Sequence, residues 1–235
     1  MHTIRSARPA ARSPRGTAGR ASSVETTRRR QRLAGAVLLA IVALDAGAYT
    51  FTLTPAAPQT VYLQVGVGSF TKNYNVGGVP GDNATINVVS TSVPAAAVGN
   101  GTAQAMTTDS SASMSDLDGF AFCNVPNQLY IGGFYRTTGA TTAAAKITAT
   151  VPASLVNASG TTIPFSKIQW TSSGNGDSGT EVFPGGTFVS GGAQSVGSIA
   201  SNQWAESCWT FSYLNNTVPA AGTFTGRVLF TLSSP

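Results

Sequence analysis

Short runs of alternating apolar and polar residues, ended by glycine, proline or asparagine, constrain this chain more than any other feature. Val61–Val67 and Trp204–Tyr213 are two such runs. A period of two residues is typical of a β-strand with one buried face, and no segment has a convincing helical period. The other runs that we expect to be strands are Thr85–Val93, Gly101–Met106, Phe120–Val125, Gln128–Tyr135, Lys146–Val151, Phe165–Thr171, Thr187–Ser190, Gln194–Ile199 and Phe224–Leu232. About ten short strands separated by turns predict a single antiparallel, all-β sandwich.

The segments between the runs are rich in small and polar residues. Gly77–Asn83 and Ser172–Gly179 combine glycine, asparagine and aspartate, which indicates turns or loops. Asp109–Gly119 is a longer polar loop, and Ala95–Val98 and Ala153–Asn157 are expected to form single helical turns. Only 10% of the chain is charged, against about 25% in an average soluble domain, which disfavours a helical bundle.

The first 48 residues have the order of an export signal. Nine of the 14 basic residues lie within the first 32 positions, and an apolar run follows over residues 33–44. The triplet Ala46-Gly47-Ala48 then matches a small-residue cleavage site. We therefore predict a signal peptide with a long basic n-region over residues 1–48, with an uncleaved membrane anchor as the alternative. The apolar run alone is too short to cross a bilayer.

The predicted mature chain divides into a lead-in over residues 49–60 and a β-sandwich domain over residues 61–235. It carries five basic and seven acidic residues. Its net charge is therefore about −2, although the whole chain has a formal net charge of +5. No basic footprint for nucleic acid remains. Membrane contact is expected only through the leader, during export.

Histidine is absent after the leader, since the single histidine is His2. Catalytic sites of the Ser-His-Asp and Cys-His types are therefore excluded. Most zinc and copper sites also rely on imidazole ligands. We expect no cofactor, and we expect that the protein is not an enzyme.

The two cysteines, Cys123 and Cys208, are expected to form a disulfide, because an exported chain meets an oxidising compartment. Two buried free thiols are the alternative. Strand alternation puts both cysteines on the face opposite an aromatic stripe. The aromatic residues of this stripe, which we expect to face the core, are Phe122, Trp209, Phe211 and Tyr213.

Three polar or aromatic residues are possible ligand contacts. Trp204 follows the polar turn at residues 201–203, so it is expected to be the most exposed tryptophan. Asn175 and Asp177 lie in a glycine-rich loop. An exposed aromatic ring beside such a loop is compatible with a carbohydrate-binding module, which is one alternative for the function.

Asp116 and Asp118 form an Asp-Leu-Asp-Gly segment with some likeness to a calcium loop. The segment lacks the remaining ligands of such a loop, so a solvated loop without a metal is the preferred interpretation.

Glu206 raises a second alternative, a glycoside hydrolase that works with carboxylates alone. Asp177 and Glu181 are its conceivable partners. The preferred interpretation is that Glu206 faces solvent or pairs with Arg136 or Arg227.

The C-terminal segment, residues 222–233, carries a second regular alternation. Its members are Gly222, Phe224, Val228, Phe230 and Leu232. The segment resembles the closing strand of bacterial pilin-type and spore coat protein U-like domains, which are Ig-like sandwiches exported to the cell surface. Ser234 stands where those proteins carry an aromatic residue, and the cysteines lie later than in classical pilins. Over its mature length the chain resembles exported proteins of Gram-negative bacteria.

This resemblance implies a structural or adhesive protein with an Ig-like or pilin-like fold. We expect a secreted, periplasmic or outer-surface location, with like subunits or surface glycans as partners. Pilin-type subunits assemble by strand addition, in which a donor strand completes a neighbour's sheet. The lead-in is a possible donor, because Tyr49, Phe51 and Leu53 alternate; a disordered tract is the alternative.

Overall fold

The computed structural model describes residues 50–71, 79–80, 86–139, 141–174 and 181–235. Their regular structure consists of β-strands and two 3₁₀ turns, Ala95–Ala97 and Phe165–Lys167. In chain order the strands are β1 (Thr50–Thr52), β2 (Thr60–Val65), β3 (Phe70–Thr71), β4 (Val79–Pro80), β5 (Val89–Ser90), β6 (Gln104–Ala105), β7 (Thr107–Thr108), β8 (Leu129–Arg136), β9 (Ala145–Val151), β10 (Ser154–Val156), β11 (Thr162–Pro164), β12 (Ile168–Ser173), β13 (Gly186–Thr187), β14 (Gly192–Ile199), β15 (Gln203–Tyr213) and β16 (Leu229–Ser233).

A seven-stranded antiparallel sheet, the large sheet, is organised around β15. Its order is β13-β12-β15-β8-β2, and β1 and β6 also pair with β15. The first part of β15 pairs with β8, with Trp204 opposite Phe134. The second part pairs with β12, with Phe211 opposite Trp170. β15 is therefore the strand on which most of the large sheet depends.

A three-stranded antiparallel sheet, the small sheet, has the order β14-β9-β16. A β-bulge interrupts β14 between Ser195 and Gly197. The inward residues Ala145, Ile147 and Ala149 of β9 are fully buried, and their neighbours along the strand are partly or fully exposed. This alternation is that of a sheet with one face on the core and one in water.

The main core lies between the inner faces of the two sheets. Its centre is aromatic: the ring centroids of Trp170 and Trp209 are 5.1 Å apart, and those of Trp170 and Phe188 are 4.6 Å apart. Trp209 also contacts Phe230 of the small sheet at 5.7 Å. Packing of this kind adds to the free energy gained by burying the rings. The predicted all-β, antiparallel, sandwich-like fold is confirmed.

Two predicted elements are wrong. Residues 120–125 do not form a strand, because the N–H groups of Phe122 and Cys123 both donate to the Ser113 carbonyl within their own loop. Residues 153–157 do not form a helical turn but contribute β10, which pairs with β11. The Asn157 side chain closes that hairpin by accepting bonds from the N–H groups of Ser159 and Thr161, a role typical of asparagine in turns.

The lead-in is ordered where it is described. β1 pairs with β15 of its own sheet, with Phe51 opposite Trp204. The Leu53 N–H donates to the Asn202 carbonyl at 2.7 Å, and the Leu53 side chain is 1% exposed. From Thr50 to Leu53 the lead-in therefore pairs with and packs on the large sheet.

The C-terminal segment is shorter as a strand than predicted. Thr225 forms a two-way backbone bridge with Val156, and β16 begins only at Leu229. Gly222 lies in the preceding loop at φ +151°, beside Asn157. The predicted alternation is present, since four residues of the segment are half-buried against the main core: Phe224, Val228, Phe230 and Leu232.

The predicted signal peptide, residues 1–48, lies outside the described residues, as do Asn175 and Asp177. In the part of the chain that is described, no helix is long and apolar enough to span a membrane.

Candidate functional site

A loop covers part of the outer face of the large sheet. We call residues 109–123 the strap. The backbone of the strap is folded on itself, because the N–H of Ser115 donates to the carbonyl of Phe120 at 2.8 Å. Leu117 of the strap packs against the cluster of Leu53, Tyr62, Phe134 and Trp204. Phe122 contacts Tyr130 edge to face, with ring centroids 6.0 Å apart. The strap thereby buries side chains that an open sheet face would leave in water.

A disulfide attaches the end of the strap to the central strand. Cys123 and Cys208 are bonded with their Cα atoms 5.5 Å apart, and 85 residues separate them in sequence. Cys208 is fully buried and points away from the main core, in which Trp209 is buried. The predicted disulfide is confirmed. Of the predicted aromatic stripe, Trp209, Phe211 and Tyr213 face the core as expected.

Phe122 is the exception within that stripe. It packs with the two cysteines and Tyr130 on the outer face of the large sheet, not in the main core. The strand alternation used to place it does not apply, because Phe122 lies in the strap rather than in a strand.

Glu206 is buried under the strap. It lies on β15 between Trp204 and Cys208, on the same outer face, and is 1% exposed. Its Oε2 atom accepts the Tyr130 hydroxyl at 2.9 Å and the Trp204 indole N–H at 3.0 Å. Its Oε1 atom has no hydrogen-bond partner. The expectation that Glu206 faces solvent or pairs with an arginine is wrong, and Arg136 instead donates to the Thr54 carbonyl.

The protein environment favours the neutral form of this carboxyl. Burial raises the pKa of Glu206 above the ordinary glutamate value, and the nearby Asp118 adds to the shift. Hydrogen bonding from Trp204, Ser115 and Tyr130 opposes the shift but does not cancel it. The pKa of Tyr130 is itself raised well above its ordinary value, first by burial and then by Glu206.

A second polar cluster joins β2 to the strap. The Tyr62 hydroxyl bonds to Gln64 Oε1 at 2.5 Å and approaches Asp116 Oδ2 of the strap at 3.5 Å. Burial raises the pKa of Asp116, while hydrogen bonding to Tyr62 and Gln64 lowers it by less. The strap thus meets the sheet through a second carboxyl whose environment disfavours ionisation.

A glycine makes room for the Tyr130–Glu206 contact. Gly132 of β8 lies opposite both Gln64 and Glu206 in the sheet. A Cβ atom at Gly132 would lie 2.2 Å from the Tyr130 hydroxyl oxygen. Only glycine therefore leaves space for Tyr130 to fold along its own strand and reach Glu206.

Trp204 is not an exposed ligand contact. It is 0% exposed and packs in an outer-face cluster with Leu53, Tyr62 and Phe134. The prediction that Trp204 is exposed rested on the polar turn that precedes it, but the lead-in and the strap cover this part of the sheet. The carbohydrate-binding alternative loses the aromatic residue on which it depended.

The carboxylates proposed for glycoside hydrolysis do not converge in the described residues. Glu181 lies near Ser207, whose hydroxyl is 3.4 Å from its Oε2 atom. Ser207 and Glu206 are neighbours on a strand, so their side chains point to opposite faces of the sheet. Glu181 and Glu206 are therefore separated by the sheet itself.

The possible calcium residues have structural partners. Asp118 Oδ1 accepts the N–H of Phe120 at 2.9 Å, which fixes the turn of the strap. Asp116 contacts Tyr62, as described above. No group of three or more histidine, cysteine, aspartate or glutamate residues that could hold a metal ion occurs among the described residues.

The residues that form the outer-face network were mostly missed from the sequence. Tyr62, Tyr130, Gly132 and Ser115 carry no motif. Glu206 does carry a signal, because it shares its strand face with Cys208, and a buried disulfide on that face indicates a covered neighbour.

The outer-face network is thus a buried set of tyrosine, tryptophan and carboxyl groups that holds a disulfide-bound loop on a sheet. Comparison of the chain with models of protein families, with curated proteins and with solved structures gave no match.

Proposed function

We propose that this chain is an exported structural or adhesive β-sandwich protein that acts with like subunits or surface glycans rather than as an enzyme. Its proposed location is secreted, periplasmic or at the outer surface of a Gram-negative bacterium. The disulfide supports this, because such bonds persist in oxidising compartments outside the cytoplasm. The order of basic, apolar and small residues at the N-terminus supports export.

The observation that carries the proposal is the docking of the N-terminal segment. β1 adds three residues to the edge of β15 beyond the end of β12, and Leu53 then fills the outer-face cluster beside Trp204. This is strand addition within one chain: backbone pairing holds the segment, and one apolar side chain enters a pocket. The same segment of a second copy presents the same backbone groups and the same leucine. Exchange of β1 between copies would link subunits without any new contact surface.

The proposal is tested by trapping the pairing as a disulfide. Thr52 of β1 and Gln203 of β15 are register partners, and side chains directly opposite each other are about 5 Å apart at Cβ. The variant Thr52→Cys/Gln203→Cys is expressed with its own N-terminal leader and analysed on non-reducing gels over a range of concentrations. Exchange predicts covalent dimers and higher oligomers whose share rises with concentration. Covalent monomers alone at every concentration would contradict exchange.

A matched control keeps the cysteine on β1 and moves its partner. Ser212 lies nine residues along β15 from Gln203, about 30 Å away at the usual rise of a strand. Thr52→Cys/Ser212→Cys is therefore expected to give no specific cross-link. Equal oligomer formation by both pairs would mean that random thiol collisions, not β1 exchange, produce the linkage.

A further inference from the structure

The carboxyl of Glu206 has an uneven set of partners. The Tyr130 hydroxyl and the Trp204 indole both donate to Oε2, and the Ser115 side chain also hydrogen-bonds the carboxyl, whereas no donor lies at hydrogen-bond distance from Oε1. A neutral carboxylic acid fits this pattern, because its carbonyl oxygen accepts two bonds while the other oxygen carries the proton. An ionised Glu206 would bury a charge with one oxygen unsatisfied, which costs more than an unpaired neutral hydroxyl.

The neighbours of Glu206 do not compensate a negative charge. The polar and titratable groups that face it or its hydrogen-bond partners in the described residues are neutral or acidic: Trp204 on β15, Tyr130 on β8, Tyr62 and Gln64 on β2, and Ser115, Asp116 and Asp118 on the strap. Arg136 is four residues along β8 from Gly132, which is opposite Glu206, and it donates to the Thr54 carbonyl. Ionisation of Glu206 would therefore add a charge next to acidic strap residues instead of pairing it with a cation.

The strap is fixed at both ends, and the described contacts of its middle with the sheet are side-chain contacts and one hydrogen bond from the Asp116 backbone N–H to the Tyr130 hydroxyl. At one end, Thr108 pairs with Val89 in the β5–β7 ladder, and its N–H donates to the Pro126 carbonyl. At the other end, Cys123 is bonded to Cys208. Between these points Leu117 and Phe122 pack on the sheet, and Asp116 meets Tyr62. Such a segment can open locally while the sandwich stays folded.

We propose that Glu206 and the strap form a proton-controlled latch. While Glu206 is neutral, the strap lies closed on the outer face of the large sheet. Ionisation of Glu206 opens the strap between Thr108 and Cys123, and water then reaches Oε1. The closed state binds the Glu206 proton more tightly than the open state does, so opening becomes more favourable as the pH rises.

Hydrogen–deuterium exchange of the full chain at pH 5 and pH 8, corrected for the intrinsic pH dependence of exchange, tests the latch. Amides of the strap are compared with amides of β9 in the same molecule. The latch predicts that the corrected strap exchange rises with pH, by about tenfold for each unit between the closed-state and open-state pKa values of Glu206. Exchange of β9 is expected to stay constant.

Two single variants separate the sensor from its neighbour. Glu206→Gln mimics the neutral acid and is expected to abolish the pH dependence of the strap. Asp116→Asn removes the other strap-facing carboxyl and is expected to retain that dependence. The proposal is overturned if wild-type strap exchange is independent of pH, if Glu206→Gln keeps the dependence, or if β9 and the strap change by the same factor. The comparison of strap exchange with β9 exchange uses the wild type alone, so it tests the latch even if a variant fails to fold.

Discussion

The two faces of β15 solve the problem of burial in different ways. Trp209, Phe211 and Tyr213 on the inner face pack against aromatic and aliphatic side chains of both sheets. Trp204 and Glu206 on the outer face are as deeply buried, but they are covered by a loop and joined by hydrogen bonds. The inner face is stabilised by the burial and close packing of apolar surface. The outer face is stabilised by a hydrogen-bonded network, which the loss of a proton, the loss of the disulfide or the addition of a single methyl group can disturb.

Burial alone does not identify a core in this molecule. On the inner face the residues of β15 that face the core are aromatic or small. On the outer face the buried row runs from Trp204 through a carboxyl to Cys208. Substitutions on the two faces are therefore expected to differ in size and in their dependence on pH.

The largest loss of stability is expected on the inner face. Trp209→Ala removes a fully buried ring that contacts Trp170, Phe211 and Phe230. The expected loss is about 3–5 kcal/mol in the free energy of unfolding, measured by denaturant titration and independent of pH between 5 and 8. A loss below 1 kcal/mol would contradict the claim that packing on the inner face stabilises the fold more than the network on the outer face does.

Removal of the disulfide is expected to come next. The pair Cys123→Ala/Cys208→Ala opens a loop of 85 residues, and the expected loss is about 2–4 kcal/mol. Limited proteolysis should then cut the strap before any other described segment. Equal protease resistance of the strap in the variant and the wild type would show that the disulfide does not hold it.

Gly132→Ala is expected to affect the outer face alone. The added Cβ would collide with the Tyr130 hydroxyl, which must leave Glu206. A loss of about 1–3 kcal/mol is expected. Gly192→Ala is a matched control in a strand, because nothing lies within 4 Å of a Cβ at that position. Similar losses for the two variants would contradict the crowding argument.

Tyr130→Phe is expected to cause a smaller loss and reports the state of its partner. The variant removes the bond from the Tyr130 hydroxyl to Glu206 Oε2. A hydrogen bond to a neutral group contributes about 0.5–1.5 kcal/mol, and one to a charged group about 1.5–3 kcal/mol. The smaller range is expected below the pKa of Glu206, where its carboxyl is neutral, and denaturant titration measures it. A loss in the larger range below that pKa would indicate an ionised carboxyl.

The faces of β15 could be predicted from the sequence, but their coverings could not. Alternation in residues 208–213 placed Cys208 opposite Trp209 and the other aromatics correctly. Trp204 was misjudged because the adjacent polar turn was weighed above its place on the cysteine face. The cover over that face depends on pairings between distant residues, such as Tyr130 with Glu206, 76 positions apart, and Cys123 with Cys208, 85 positions apart. No local pattern encodes such pairings.

The protonation state of Glu206 tests the account most directly. Carbon-13 NMR of its carboxyl carbon, assigned by its absence in Glu206→Gln, gives the pKa in the folded chain. The latch predicts a pKa above the ordinary glutamate value, so that the contribution of Glu206 to folding stability is highest at acidic pH and is lost as the pH rises through that pKa. A pKa at or below the ordinary value would contradict the account, because an ionised Glu206 would then be stable beneath the closed strap.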